Sequence, residues 1–104
     1  MHATIRRYES IDQSRKSEVL KKVDETLLPK LTELPGFNGY SLIDAGDGVM
    51  TSVSFFDTAA QADESTRVSK NWVRDEKLET ALPNAPRITT GDIVASKLRE
   101  LVKA

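Results

Sequence analysis

The sequence predicts an α+β fold in βαββαβ order, an antiparallel four-stranded sheet with two helices on one face. Two β-rich runs, FNGYSLIDA and VMTSVSFFD, flank Gly46-Asp47-Gly48. Asp-Gly between such runs is a strong hairpin signal, because Gly accepts the positive φ of a twisted turn. Apolar residues before the hairpin, and small residues after it, recur at helical spacing. Each helical stretch has a further strand-like run on its far side, and right-handed crossovers place both helices over the same face.

His2 to Glu9 reads as the first strand from its Ile, Thr and Tyr content, with Ala3, Ile5 and Arg7 on one face and His2, Thr4, Arg6 and Tyr8 on the other. Asp12 or Ser14 then supplies an N-cap for a helix with the stripe Val19, Leu20, Val23, Leu27, Leu28, Leu31 and Leu34. Pro29 falls inside this pattern, where it removes a hydrogen bond and costs about 3 kcal/mol in an uninterrupted helix. A kink, or two helices end to end, is expected there, and Pro35-Gly36 ends the element. After the hairpin, Asp57 or Thr58 caps a second helix running to about Leu82, with Ala59, Ala62, Ser65, Thr66, Ser69, Trp72 and Val73 inward. Small residues on a packing face either let the helix sit close to the sheet or leave a ligand-sized gap, and dense packing is the commoner outcome. The loop Pro83-Asn84-Ala85-Pro86 leads to a last strand from Arg87 to Ser96. The domain therefore spans residues 1–96. Residues 97–104 form a tail in which Leu98, Leu101 and Val102 have helical spacing.

At 104 residues the chain is one domain, long enough to bury roughly 65% of its unfolded surface in a single core. Fifteen basic and sixteen acidic residues nearly cancel, so no field draws the protein to nucleic acid or to an anionic membrane. There is no cysteine, hence neither a disulfide framework nor a thiolate nucleophile. With the alternating, charged start MHATIRRYE in place of an apolar signal core, a cytoplasmic location is expected. A single histidine, His2, leaves no metal-ligand cluster and no serine triad around a G-x-S-x-G turn. Gly46-Asp47-Gly48 lacks the Lys-Ser/Thr of a phosphate loop. RNA-recognition domains share the βαββαβ order, but VMTSVSFF lacks their basic, glycine and spaced aromatic pattern.

The sheet face away from the helices has no cover. One strand parity offers it Ile5, Ile43, Val49, Val53 and Phe55, the other Tyr40, Leu42, Met50, Phe56 and Ile93. Either set is an apolar interaction surface. A sheet-to-sheet homodimer is the simplest way to bury it.

Several segments resemble the antibiotic biosynthesis monooxygenase-like family: ATIRRYE, LLPKLTELPGF, YSLIDAGDGVMTSVSFFD, the pattern Ser65, Arg67, Trp72, Val73, and GDIVAS. The resemblance covers about residues 2 to 96. It implies a ferredoxin-like subunit that forms a homodimeric α+β barrel, with a pocket between helices and sheet. Relatives in that superfamily include cofactor-free quinone-forming monooxygenases and haem-degrading enzymes. The former use a pocket tryptophan, an asparagine one helical turn away, tyrosine and arginine to bind a polycyclic phenol in its oxygen-reactive form. Trp72 matches in place, while the turn before it holds Val68 and Asn71 is its immediate neighbour. Adjacent helical residues point about 100° apart, so Asn71 and Trp72 face different walls. The haem enzymes need an axial histidine near the end of the second helix, which this chain lacks. No cofactor is expected.

With Trp72 matched by the resemblance and the others singled out by residue type and placement, Arg6, Tyr8 and Asn71 are the candidate catalytic residues and Tyr40, Ser52, Ser54, Ser65 and Trp72 the candidate substrate contacts. Each also has an ordinary explanation. A lone helical tryptophan facing a sheet is usually core. Strand tyrosines are commonplace. Arg6, Arg7 and Arg67 suit a carboxylate or phenolate, yet most arginines pair with a neighbouring acid. Buried serines suggest a polar-lined cavity, or hydrogen bonds across the sheet. Asp92 would be a raised-pKa base if buried. The functional expectation is a cofactor-independent monooxygenase, or related small-molecule enzyme, acting on an aromatic or quinol-like metabolite. The competing expectation is a non-catalytic barrel that binds a small hydrophobic ligand or only dimerises.

Overall fold

The computed structural model describes residues 1–97. The expected helical tail therefore lies outside the described residues. Strands β1 (His2–Tyr8), β2 (Phe37–Gly46), β3 (Val49–Phe56) and β4 (Arg87–Asp92) form one sheet in the order β2-β3-β1-β4, with every pair antiparallel. Helices α1 (Lys16–Lys22) and α2 (Leu28–Thr32) precede the hairpin, and α3 (Ala59–Asp75) follows it. At the hairpin tip Asp47 and Gly48 both have positive φ, 53° and 77°, as a type I′ turn requires.

The first helical stretch is two helices joined by a π turn, Val23–Leu27, in which the Leu28 amide reaches back to the Val23 carbonyl. Pro29 has no amide hydrogen, and its ring would strike the carbonyl four residues earlier. The wider turn just before it relieves both problems and leaves Pro29 in the first turn of α2. It also explains which residues are buried. Val19, Val23, Leu27 and Leu31 all face inward, whereas this four-residue spacing would drift about 40° per step in a regular α-helix. Leu20, expected inward, is 40% exposed, because the stripe follows the four-residue row through the π turn.

Thr58 caps α3 in a capping box with Gln61, as one of the two expected caps. The helix then stops at Asp75, seven residues short of Leu82. The Lys77 amide bonds to the Arg74 carbonyl and the Leu78 amide to the Val73 carbonyl, with Lys77 at φ 58°. This is a Schellman stop built on lysine where glycine is usual, which is why no sequence signal marked it. Leu78, Ala81 and Leu82 instead pack as a loop on the core. Ala59, in the exposed first turn, is not inward. β4 likewise ends at Asp92 rather than Ser96, because Asp92 pairs with His2 and the Ile93 amide takes the last acceptor, the Met1 carbonyl.

Register settles the faces. Arg6 stands between Ser52 of β3 and Ile88 of β4, and Thr4 between Ser54 and Thr90. His2, Thr4, Arg6, Met50, Ser52, Ser54 and Phe56 are buried beneath the helices. The outer face carries Ile5, Ile43, Val49, Thr51, Val53 and Phe55, all half-buried or exposed. Of the two expected parities, this is the first.

Candidate functional site

Two spaces meet inside the domain. An inner cavity of about 30 Å³, room for about one water, lies between the sheet and the helices, walled by Val19, Val23, Leu27, Leu42, Met50, Trp72 and the polar groups of Tyr40 and Ser52. A larger cleft of about 620 Å³ opens between α3, the β1–β4 edge and the loop Pro83–Pro86. Arg6, Tyr8, Ser69 and Leu82 line both.

Arg6 is the residue around which the site is built. It is 2% exposed, and among the described residues no carboxylate pairs with it. Its partners are neutral hydroxyls: Nη1 donates to Ser54 Oγ at 3.3 Å, and Nη2 to Ser65 Oγ at 3.4 Å and Thr66 Oγ1 at 2.6 Å. A guanidinium carries five N–H donors, and here the buried Nε has no partner. Burial away from water pulls the Arg6 pKa down from its ordinary value, with the two nearby phenols acting in the opposite sense. The same desolvation raises the Tyr8 pKa and pushes Tyr40 up to about 12. For Tyr40, the proximity of Tyr8 adds to the rise, while Arg6 and a contact with Ser52 oppose it. Both phenols are therefore proton donors at neutral pH.

The candidate residues divide between the two spaces. Tyr40, Ser52 and Trp72 face the inner cavity, and Asn71 faces the cleft. The expected divergence of Asn71 from Trp72 is thus present. Trp72 is 3% exposed in the main hydrophobic cluster, and its indole Nε1 donates to Thr26 Oγ1 at 2.7 Å. Thr26 sits in the π turn and donates in turn to the Lys22 carbonyl at 2.8 Å, so the indole's single donor is used within the fold. Ser54 and Ser65 line neither space, being occupied with Arg6. The small face of α3 accordingly packs close, the commoner of the two outcomes, and the larger space opens beside the helix rather than beneath it.

Other candidates lie elsewhere. Arg7 bonds to Glu9 at 3.0 Å, and Arg67 pairs with Glu64 on the exposed side of α3. Asp92 is 82% exposed and meets His2 Nδ1 at 3.1 Å, while His2 Nε2 meets Thr90 Oγ1 at 2.8 Å. This chain ties β1 to β4 and lines neither space. Among the described residues, no group of three or more His, Cys, Asp or Glu side chains is placed to hold a metal, and no helix is long and apolar enough to cross a membrane.

Thr66, Ser69, Lys70, Leu82 and the loop Pro83–Pro86 belong to the site but were not singled out as site residues. Ser65 and Ser69, four residues apart on an inward helical face, were the available signal: polar residues there imply a polar partner across the interface.

A sheet in this order, with its helices on one face, is the ferredoxin-like α+β fold, and the chain shares it with solved structures of antibiotic biosynthesis monooxygenase-like proteins. One is a structure named antibiotic biosynthesis monooxygenase, at 19% identity and TM-score 0.71, covering 91% of this chain and 100% of that one. Another is a monooxygenase of Streptomyces coelicolor in complex with the ligand nanaomycin D, at 10% identity and TM-score 0.73, covering 95% and 92%. A third is a dimeric ferredoxin-like protein from an uncultured marine organism, at 14% identity and TM-score 0.70, covering 95% and 92%. Comparison with family models and with curated proteins gives no match. At these identities the likeness is one of fold, and function has to be argued from the site.

Proposed function

We propose that the protein is a cytoplasmic, cofactor-independent monooxygenase, or a related small-molecule enzyme, that acts as a homodimer on an aromatic or quinol-like metabolite bound in the cleft. The observation that carries this reading is Arg6, a buried cation without a counter-ion among the described residues, on the wall of a cleft with room for a polycyclic ligand. A phenol bound against it is favoured as phenolate, since an opposite charge in a poorly solvated site stabilises the ionised form. Tyr8, kept neutral by burial, donates a hydrogen bond to the same oxygen, and Asn71 orients the ring from α3. The electron-rich phenolate then supplies the electrons for oxygen. A ring methylene and O₂ give a carbonyl and water, with one oxygen atom in each product. Tyr40, Ser52 and Trp72 shape the inner wall behind Arg6.

The homodimer is supported by the outer face of the sheet, where Ile5 is 39% and Ile43 49% exposed beside Val53 and Phe55. The similar marine protein is described as dimeric.

A second reading, a barrel that binds a ligand without turning it over, is favoured by the commitment of the Trp72 indole to Thr26. Oxygen uptake with a panel of quinols and anthrones separates the two. The enzyme reading expects uptake that falls at least about 100-fold in Arg6→Ala, the loss typical of one preorganised electrostatic donor. No uptake with any of the panel, or rates unchanged in both Arg6→Ala and Trp72→Ala, refutes it.

A further inference from the structure

We infer that Asn38 is a site of spontaneous covalent modification, at which hydrolytic loss of the side-chain amide leaves aspartate or isoaspartate and turns a tie between β2 and the start of α3 into a repulsion. The inference is independent of what occupies the cleft.

Sequence and backbone converge on this residue. Of the three asparagines, Asn38, Asn71 and Asn84, Asn38 alone is followed by glycine. Asparagine is among the thermolabile residues, and Gly39 has no Cβ to hold its backbone nitrogen away from the preceding side-chain carbonyl carbon. Unlike Gly36, Gly46 and Gly48, Gly39 does not have a positive φ, and a Cβ there would stand 3.4 Å from the Phe55 ring. Nothing in the backbone therefore demands glycine at this position. Phe37 pairs with Phe56 and Gly39 with Phe55, so Asn38 is the extra residue of a β-bulge, exposed and left out of the ladder. By contrast, Asn71 lies inside α3 ahead of Trp72, and Asn84 precedes Ala85.

The backbone nitrogen of Gly39 attacks Cγ of Asn38 to form a cyclic imide, and Nδ2 leaves as ammonia. Water then opens one of the two imide carbonyls, giving aspartate, or isoaspartate with the main chain routed through the side chain. The net change is an amide and water to a carboxylate and an ammonium ion, with nothing oxidised or reduced. In the fold, Asn38 Nδ2 donates to Asp57 Oδ1 at 2.8 Å, one residue before the Thr58 cap of α3, and the Asp57 amide bonds to the Gly36 carbonyl at 3.0 Å. The side-chain bond has to open before Gly39 can attack, so Asp57 governs the rate. After the reaction an acceptor-only oxygen replaces the donor, and two carboxylates of like charge face each other.

The test ages the folded full chain in mildly alkaline buffer and follows each asparagine by peptide mass spectrometry, with isoaspartate read by enzymatic carboxyl methylation. Asn38 should convert before Asn71 and Asn84 and yield both isomers. Gly39→Ala should slow the conversion severalfold, and Asp57→Ala should speed it. Asn38→Asp reproduces the aspartate product, and Asn38→Ala removes the tie without adding charge. The first should melt below the second at low salt, with the gap closing as salt screens the carboxylate pair. If Gly39→Ala or Asp57→Ala does not fold, the order of conversion in the wild type and the melting comparison carry the test. No conversion at Asn38, earlier conversion at Asn71 or Asn84, a rate indifferent to Gly39→Ala or to Asp57→Ala in the folded variants, or an Asn38→Asp protein that melts no lower than Asn38→Ala overturns the inference.

Discussion

Replacing Arg6 by methionine, a linear side chain of similar length without charge, should leave stability almost unchanged even though it deletes the most buried cation described. Removing an uncompensated guanidinium from the interior recovers a desolvation penalty of several kcal/mol. Against this, the 2.6 Å bond to Thr66 is lost, about 1.5–3 kcal/mol for a charged donor, while the contacts to Ser54 and Ser65 are long and contribute less. Ser65 and Thr66 keep a second acceptor in the Ala62 carbonyl, at 2.6 and 3.3 Å. Ser54 does not, and a stranded buried hydroxyl costs about 1–3 kcal/mol. The terms nearly cancel, so Arg6→Met should lie within about 1 kcal/mol of the wild type. Changing Ser54 to Ala as well removes the stranded hydroxyl and should raise stability above the wild type by about 1 kcal/mol, or some 4–8 °C in Tm for a domain of this size. Urea unfolding followed by circular dichroism, at one fixed protein concentration because self-association would shift the midpoint, measures both. A loss of about 3–5 kcal/mol in the single variant is what breaking a paired buried ion produces, and would show that Arg6 is a structural keystone rather than a cation awaiting a ligand.

Thr26→Val should destabilise the fold by about 1–2 kcal/mol, since it leaves the buried indole N–H of Trp72 without its acceptor, and should change the tryptophan emission; unaltered emission and stability would refute that bond. Trp72→Ala should cost about 3–5 kcal/mol whatever the ligand does, because the ring fills the main cluster. Tyr40 ionises at about 12 in the folded chain and near 10 when unfolded, so between those values the unfolded state has released more protons. Stability should therefore be intact below about pH 10 and fall as pH rises through the folded value, and Tyr40→Phe should flatten that decline in urea titrations. Phe55→Glu places a charge on the outer sheet face and should convert the proposed dimer to monomer in sedimentation equilibrium, with the helix-side core untouched; a wild type that is already monomeric refutes the dimer.

Strand and helix order were legible in the residues because they depend on local chemistry. Asp47-Gly48 specifies the hairpin turn, Thr58 the start of α3, and Pro29 the break in the first helix. Elements stopped where no local signal existed: the Schellman turn on Lys77 ends α3, and β4 ends where its partner strand begins. Both outcomes follow from packing partners distant in the chain.

For the site, residue types alone identified Arg6, Tyr8 and Tyr40 as chemically capable, and helical geometry separated Asn71 from Trp72. Periodicity also divided each strand into two faces. Only tertiary structure decided which face lies under the helices, because a period of two is symmetric until packing breaks it. It likewise decided that Ser54, Ser65 and Thr66 surround a guanidinium while every carboxylate described pairs elsewhere or meets water. A charge left alone is a relation among residues dozens of positions apart, and no local pattern records it.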